Sequence, residues 1–249
     1  MSYKIPGSWQ ALSMATLAFA ANFSVWTLYA AMALYIGPEL GLSSTELGLL
    51  FAAPMLTGSL IRIPTGFIIE YYQPKTMFIW QMLLVSPPLF LLPSANSFAT
   101  YILLGLWLGI SGASFTIGIR YINDWFESNQ QGTAMGIFGL GNAGAAITLA
   151  GVPIIVEYFD WSTVGYFYGV GILTMAFLFY LLAPPTPQHL LAKQPENTRE
   201  QINVLKSSRI WHYGLYYYFV FGSFLALIMW LPQYYVNAYE VSMPTAMAF

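Results

Sequence analysis

The sequence holds no cysteine, which excludes a disulfide framework, a thiolate nucleophile and cysteine-ligated metal. Charge is nearly as scarce. Only 7% of the 249 residues are charged, 8 Lys+Arg against 10 Asp+Glu, where a soluble domain carries about 25%. Too few charges remain to coat a surface that faces water. The shortage also excludes disorder, which combines low hydrophobicity with high charge. No basic excess marks a nucleic-acid partner. The two histidines, His189 and His212, flank one polar stretch. No paired carboxylates, metal-ligand set or nucleophile–base pair emerges, so the chain reads as neither an enzyme nor a metal or cofactor protein.

What is abundant is apolar: 57% of residues are hydrophobic and 18% aromatic. A helix crosses roughly 30 Å of hydrocarbon with about 20 mostly apolar residues. Seven runs meet that length: Trp9–Tyr35, Thr45–Ile69, Thr76–Leu92, Phe98–Ile122, Gln131–Val156, Thr163–Ala183 and Trp211–Tyr235. A β-barrel would alternate apolar and polar residues in strands of about ten; these runs are longer and continuously apolar. The first is too long for a cleaved signal peptide and has no small-residue cleavage site before a soluble domain. The fold class is therefore an all-α integral membrane protein surrounded by lipid.

Five connectors are short turns: Gly37–Ser44, Tyr71–Lys75, Pro93–Ser97, Asn123–Gln130 and Glu157–Ser162. The sixth, Pro184–Arg209, is long, polar and proline-rich. This predicts a six-helix bundle over 1–183, a cytoplasmic linker over 184–209, and a seventh helix over 210–249. The tail Pro244–Phe249 reads as the opening of an eighth helix. Placing the N-terminus in the cytoplasm puts Lys4, Lys75, Arg120, Lys193, Arg199, Lys206 and Arg209 inside and no basic residue outside. Glu39, Glu46, Glu157, Asp160 and Glu240 then lie outside. The basic bias follows the positive-inside rule.

Arg62 fits neither side and is expected deep within the second helix. A central arginine costs about 2.5 kcal/mol or more, so it faces a cavity or a partner. Gly58, Ser59, Thr65 and Gly66 share its helix face and are small or weakly polar. Pro54 and Pro64 flank it and free backbone groups. A guanidinium offers planar, paired donors suited to an oxyanion. The competing reading is an ion pair, yet no Asp or Glu falls mid-span. The fifth run repeats small residues four apart, Gly132 with Gly136, Gly139 with Ala143 and Gly141 with Ala145. That spacing serves close helix packing. Asn142, between Gly141 and Gly144, admits two readings: an interhelical hydrogen bond, or an amide that meets a ligand beside exposed backbone N–H groups.

Residues 112–151, from Gly112-Ala-Ser-Phe115 through Asp124-Trp125-Phe126 and Gln131-Gly132-Thr133-Ala134 to Gly139-Leu-Gly141-Asn142-Ala-Gly144, closely resemble the nitrate/nitrite porter family of the major facilitator superfamily. Gly136–Gly151 looks like that family's nitrate signature, and Leu60-Ile61-Arg62-Ile63-Pro64 like its second helix. Gly66–Glu70 with Lys75 is similar to the following loop, but Tyr71, Gln73 and Pro74 replace its basic, glycine and basic positions. The resemblance implies twelve helices in two halves, of which this chain carries the six-helix N-terminal half plus helix seven. It implies nitrate or nitrite bound by Arg62, Asn142, Phe115, Tyr217 and Phe221, with Gly141 and Gly144 at the site. It implies a second arginine and a second signature in a missing C-terminal half, the expected partner. The expected setting is the bacterial inner membrane. The alternatives are a carrier of another small anion and a non-transporting scaffold or sensor fragment.

Overall fold

The computed structural model describes residues 6–186, 203–242 and 245–246. Most of the expected linker and of the tail Pro244–Phe249 lies outside the described residues, as do Lys4, His189, Lys193 and Arg199. Among the described residues the chain is helical, without strands. Seven helices are long and apolar enough to cross a membrane: α1 Ser8–Leu40, α2 Ser44–Ile68, α3 Pro74–Ser94, α4 Phe98–Asn123, α5 Gln131–Tyr158, α6 Trp161–Leu182 and α7 Ser208–Tyr239. In lipid a helix satisfies its own backbone, which is why continuous apolar runs adopt it. The chain forms two compact units, Met1–Ala192 and Lys193–Phe249.

Helix ends depart from expectation at several places. The first helix does not stop before Gly37 but continues through Pro38 to Leu40. It stops at Gly41, which takes a left-handed φ of 63°. Leu42 N–H then bonds Gly37 O at 2.9 Å and Gly41 N–H bonds Pro38 O at 3.3 Å, the paired closure of a glycine C-cap. Ser43 opens α2 at once. Its Oγ accepts from Glu46 N–H, and Glu46 returns a carboxylate oxygen to Ser43 N–H at 2.8 Å. Arg62 lies in the C-terminal part of α2, with residues 63–68 after it in the helix.

Within the first unit α1 is the core. Its apolar window is 83% buried, against 28% for α2 and for α5. Helices α4, α5 and α6 pack around it, α3 lies against α6 and α4, and α2 against α4. Glycines set the closest approaches, as expected where lipid supplies no hydrophobic drive between helices. A Cβ at Gly112 would meet the backbone of Gly58 at 2.7 Å. One at Gly169 would meet the Phe90 ring at 2.8 Å.

One end of the bundle is tied by polar side chains. Lys75 Nζ donates to Tyr180 O and Ala183 O, Gln10 Nε2 to Leu182 O, and Tyr121 OH to Pro184 O. These donors occupy carbonyls that the last turn of α6 leaves without helical partners. Arg120 pairs with Asp124 and reaches Glu70 at 3.6 Å. The contacts bring the start of α1, the start of α3, the end of α4 and the end of α6 together. The second unit is α7, interrupted by nothing despite Pro232 and closed by Glu240 at φ 53°.

The glycines of α5 give a direct stability test. A methyl at Gly144 would strike Ala20 O and lie 2.8 Å from Ser24 N, backbone atoms that cannot swing away. Gly136 has nothing within 4 Å of such a methyl. Gly144→Ala should destabilise the folded chain by about 1–3 kcal/mol. Gly136→Ala should be neutral or stabilising by up to about 1 kcal/mol. Thermal unfolding in one detergent measures both; equal effects would contradict this packing.

Candidate anion site

Four helices lose regular geometry at neighbouring places. α1 breaks at Thr27, whose Oγ1 bonds Phe23 O at 3.0 Å and Ser24 O at 3.3 Å. α2 breaks at Ile61, where Pro64 has no N–H to offer the Leu60 carbonyl. α4 tightens to a 3₁₀ turn over Gly109–Gly112, and α5 does so over Leu140–Ala143. Such mid-helix turns commonly mark functional positions. Trp26, Arg62, the Gly112 carbonyl and Asn142 each sit in or beside one of these breaks.

Arg62 is half-buried. Its Nε donates to Gly112 O at 3.1 Å. Its guanidinium carbon lies over the Trp26 ring at 5.1 Å and over the Phe115 ring at 5.2 Å. Both distances fall within cation–π range. Phe115 continues into an aromatic stack, 5.5 Å from Phe19 and 6.0 Å from Phe138, with Phe19 and Phe138 4.7 Å apart. The structure thus joins Arg62 and Phe115 in one cluster. Phe19 links that cluster to α5, because it packs against Gly141.

Asn142 is half-buried in the 3₁₀ turn of α5. Its Nδ2 donates to Gly139 O at 2.9 Å, and its Oδ1 is buried with no hydrogen-bond partner. Among the described residues its amide makes no interhelical hydrogen bond, one of the two readings that its place in the sequence admits. Gly141 and Gly144 are buried, and a Cβ on either would meet Phe19, Ala20 or Ser24 of α1. The open glycines of α5 are Gly132, Gly136 and Gly139. In the second unit Tyr217 and Phe221 stack at 5.1 Å with 16° between ring planes, on one face of α7.

Residues 14–249 match the description Major Facilitator Superfamily. The chain belongs to the major facilitator superfamily. It is 30% identical to a probable nitrate/nitrite antiporter of Thermus thermophilus, covering 97% of this chain and 57% of that protein. It is 30% identical to a nitrite extrusion protein of Bacillus subtilis (93% of this chain, 58% of the relative). A probable nitrate transporter of Staphylococcus epidermidis is 26% identical over 92% of this chain and 59% of its own length. The chain thus spans under two thirds of the length of these relatives. Among solved structures, a bacterial homologue of the human lysosomal transporter Spinster, inward-facing and occupied, superposes with a TM-score of 0.73 at 19% identity. It covers 99% of this chain and 58% of its own. The fold is accordingly that of the major facilitator superfamily, in an integral membrane protein.

This facilitator chain holds two features that the sequence reading did not single out. Trp26 faces Arg62 directly. In addition, Asn22 and Gln81 are buried in the bundle: Gln81 Nε2 donates to Asn22 Oδ1 at 2.8 Å and to Ile110 O at 3.4 Å, and Asn22 Nδ2 donates to Ala18 O at 2.8 Å. The amides therefore hold the Gly109–Gly112 turn on α4 from one side while Arg62 holds it from another. The available signal was two uncharged amides inside apolar spans. Among the described residues, no three His, Asp or Glu side chains group as a metal site requires.

The amide pair predicts coupling. Gln81→Leu should leave Asn22 Oδ1 without its donor, whereas Asn22→Leu with Gln81→Leu removes both partners. A double-mutant cycle by thermal unfolding should return a coupling of about 0.5–2 kcal/mol. Additive losses would show that the two amides act separately.

Proposed function

We propose that this chain contributes the anion-binding portion of a nitrate and nitrite carrier that works by alternating access. The observation that carries the proposal is Arg62, a guanidinium held by an Nε–H bond and two aromatic faces inside an apolar helix bundle. Intramembrane charges of this kind mark substrate pathways. The relatives' names supply the substrate class. Nitrate and nitrite are small planar oxyanions, and a guanidinium edge presents parallel donors to two coplanar oxygens. Phe115 would wall the slot. Asn142 would add its second N–H. Tyr217 and Phe221, stacked on one face of α7, are the second unit's candidates for contact with the anion. Transport would follow as the two halves rock about the anion.

The same proposal places the chain in a bacterial inner membrane with its N-terminus cytoplasmic. Its support is the distribution of Lys and Arg, all outside the apolar interior except Arg62 and all in one set of loops.

The test is nitrate uptake into proteoliposomes. Arg62→Lys keeps the charge but replaces the planar fork by a point charge. Uptake efficiency should fall about tenfold or more, an effect of about 1.4 kcal/mol or more. Chlorate and nitrite should compete with nitrate, and organic acids should not. Near-normal uptake by Arg62→Lys, or competition by organic acids alone, would overturn the proposal.

A further inference from the structure

The geometry points to Trp26 as the positioning residue for Arg62, and so as a determinant of anion affinity that does not itself touch the anion. The inference rests on the anion-site proposal above and deepens it. The indole is 2% exposed and fixed at both ends. Its Nε1–H donates to Pro54 O at 2.8 Å, across 28 residues of chain, from α1 to α2. Its ring meets Phe23 edge to face at 5.6 Å. Its seat is cut into α2 at Gly58, where any side chain would collide with the indole nitrogen. Gly58 is pressed from its other side by Gly112, so one thin point of α2 accommodates both α1 and α4.

Arg62 lies one helical turn beyond Gly58. The elements that seat Trp26 therefore also bring in other groups that hold the guanidinium. Gly112 O takes Nε, the Trp26 face takes the cation, and Phe115 takes it at a comparable distance. A long arginine side chain loses substantial rotamer entropy when an anion fixes it. An arginine already fixed by its neighbours has lost that entropy in the empty site, so binding is tighter. An indole is the strongest of the aromatic faces for a cation. It is held here by a hydrogen bond that phenylalanine cannot make.

Three variants in the reconstituted protein test this. Trp26→Leu removes ring and N–H. It should raise the KM for nitrate by about tenfold, the order of a desolvated cation–π contact, with the maximal rate within about twofold of the parent. Trp26→Phe keeps a ring face and should fall between the two. The Arg62 Nε–H proton, observed by NMR in nanodiscs, should lose its ring-current shift in Trp26→Leu and exchange faster with water. Arg62→Gln separates the two levels of the account. If Arg62→Gln abolishes uptake while Trp26→Leu leaves KM and the Arg62 resonance unchanged, the positioning role is wrong and the anion site stands. If Arg62→Gln transports normally, the anion site itself is wrong. A lower maximal rate with unchanged KM in Trp26→Phe would reduce Trp26 to packing and overturn the inference. That variant also decides the matter should Trp26→Leu fail to fold.

Discussion

A guanidinium inside an apolar bundle has to be held by groups other than bulk water, and much of the first unit can be understood from that requirement. A guanidinium carries charge and five N–H donors, so the surrounding helices must supply electron-rich partners. These include a carbonyl at Gly112 and the faces of Trp26 and Phe115. Regular helices spend their carbonyls internally. Exposing Gly112 O and seating an indole therefore go together with tightened turns, prolines and glycines at this depth. The 3₁₀ turns of α4 and α5 and the break in α2 are local departures that a wholly regular bundle would lack.

Glycine has two separate roles in the structure. Gly58, Gly112, Gly141 and Gly144 let backbones touch, and a methyl at any of them would meet a neighbour. Gly132, Gly136 and Gly139 lie along α5 with nothing within 4 Å of a notional Cβ. The first group builds the scaffold on which Arg62 and Asn142 are carried. The buried Asn22–Gln81 pair adds a polar lock between α1 and α3 that also reaches α4. Paired amides of this kind fix which arrangement of apolar helices is adopted, because a misplaced helix would strand more of their donors and acceptors in hydrocarbon. Here only Gln81 Oε1 among the pair's side-chain atoms is left buried without a partner.

The membrane spans were legible in the sequence because bilayer thickness sets the length of an apolar run, and one charge among such residues stands out. Arg62 and Asn142 were visible for that reason, and Arg62 with Phe115 forms a real cluster. Helix ends were less legible. The apolar run ends at Tyr35, but Gly41 is where the chain can turn left-handed, so α1 runs on to Leu40. The direction in which a glycine faces could not be read from spacing alone. Residues four apart share a face, yet nothing local says whether that face meets a helix or a ligand, and Gly141 and Gly144 turn out to meet α1. Trp26 was hidden among 43 or so other aromatic rings' worth of background at 18% of the composition, since its partners Pro54 and Arg62 lie on another helix. Gln81 and Asn22 are 59 residues apart, a pairing only the fold reveals.

The central claim is that Arg62 itself holds the anion. Solid-state NMR can measure it as a dipolar coupling between [15N]nitrate and arginine labelled with 13C at Cζ, with the protein in lipid. A planar anion bound edge-on to a guanidinium places the two nuclei about 4 Å apart. The account predicts strong dephasing of one arginine signal, and loss of that dephasing in Arg62→Gln. Dephasing that survives Arg62→Gln, or that is absent while nitrate is being transported, would contradict it.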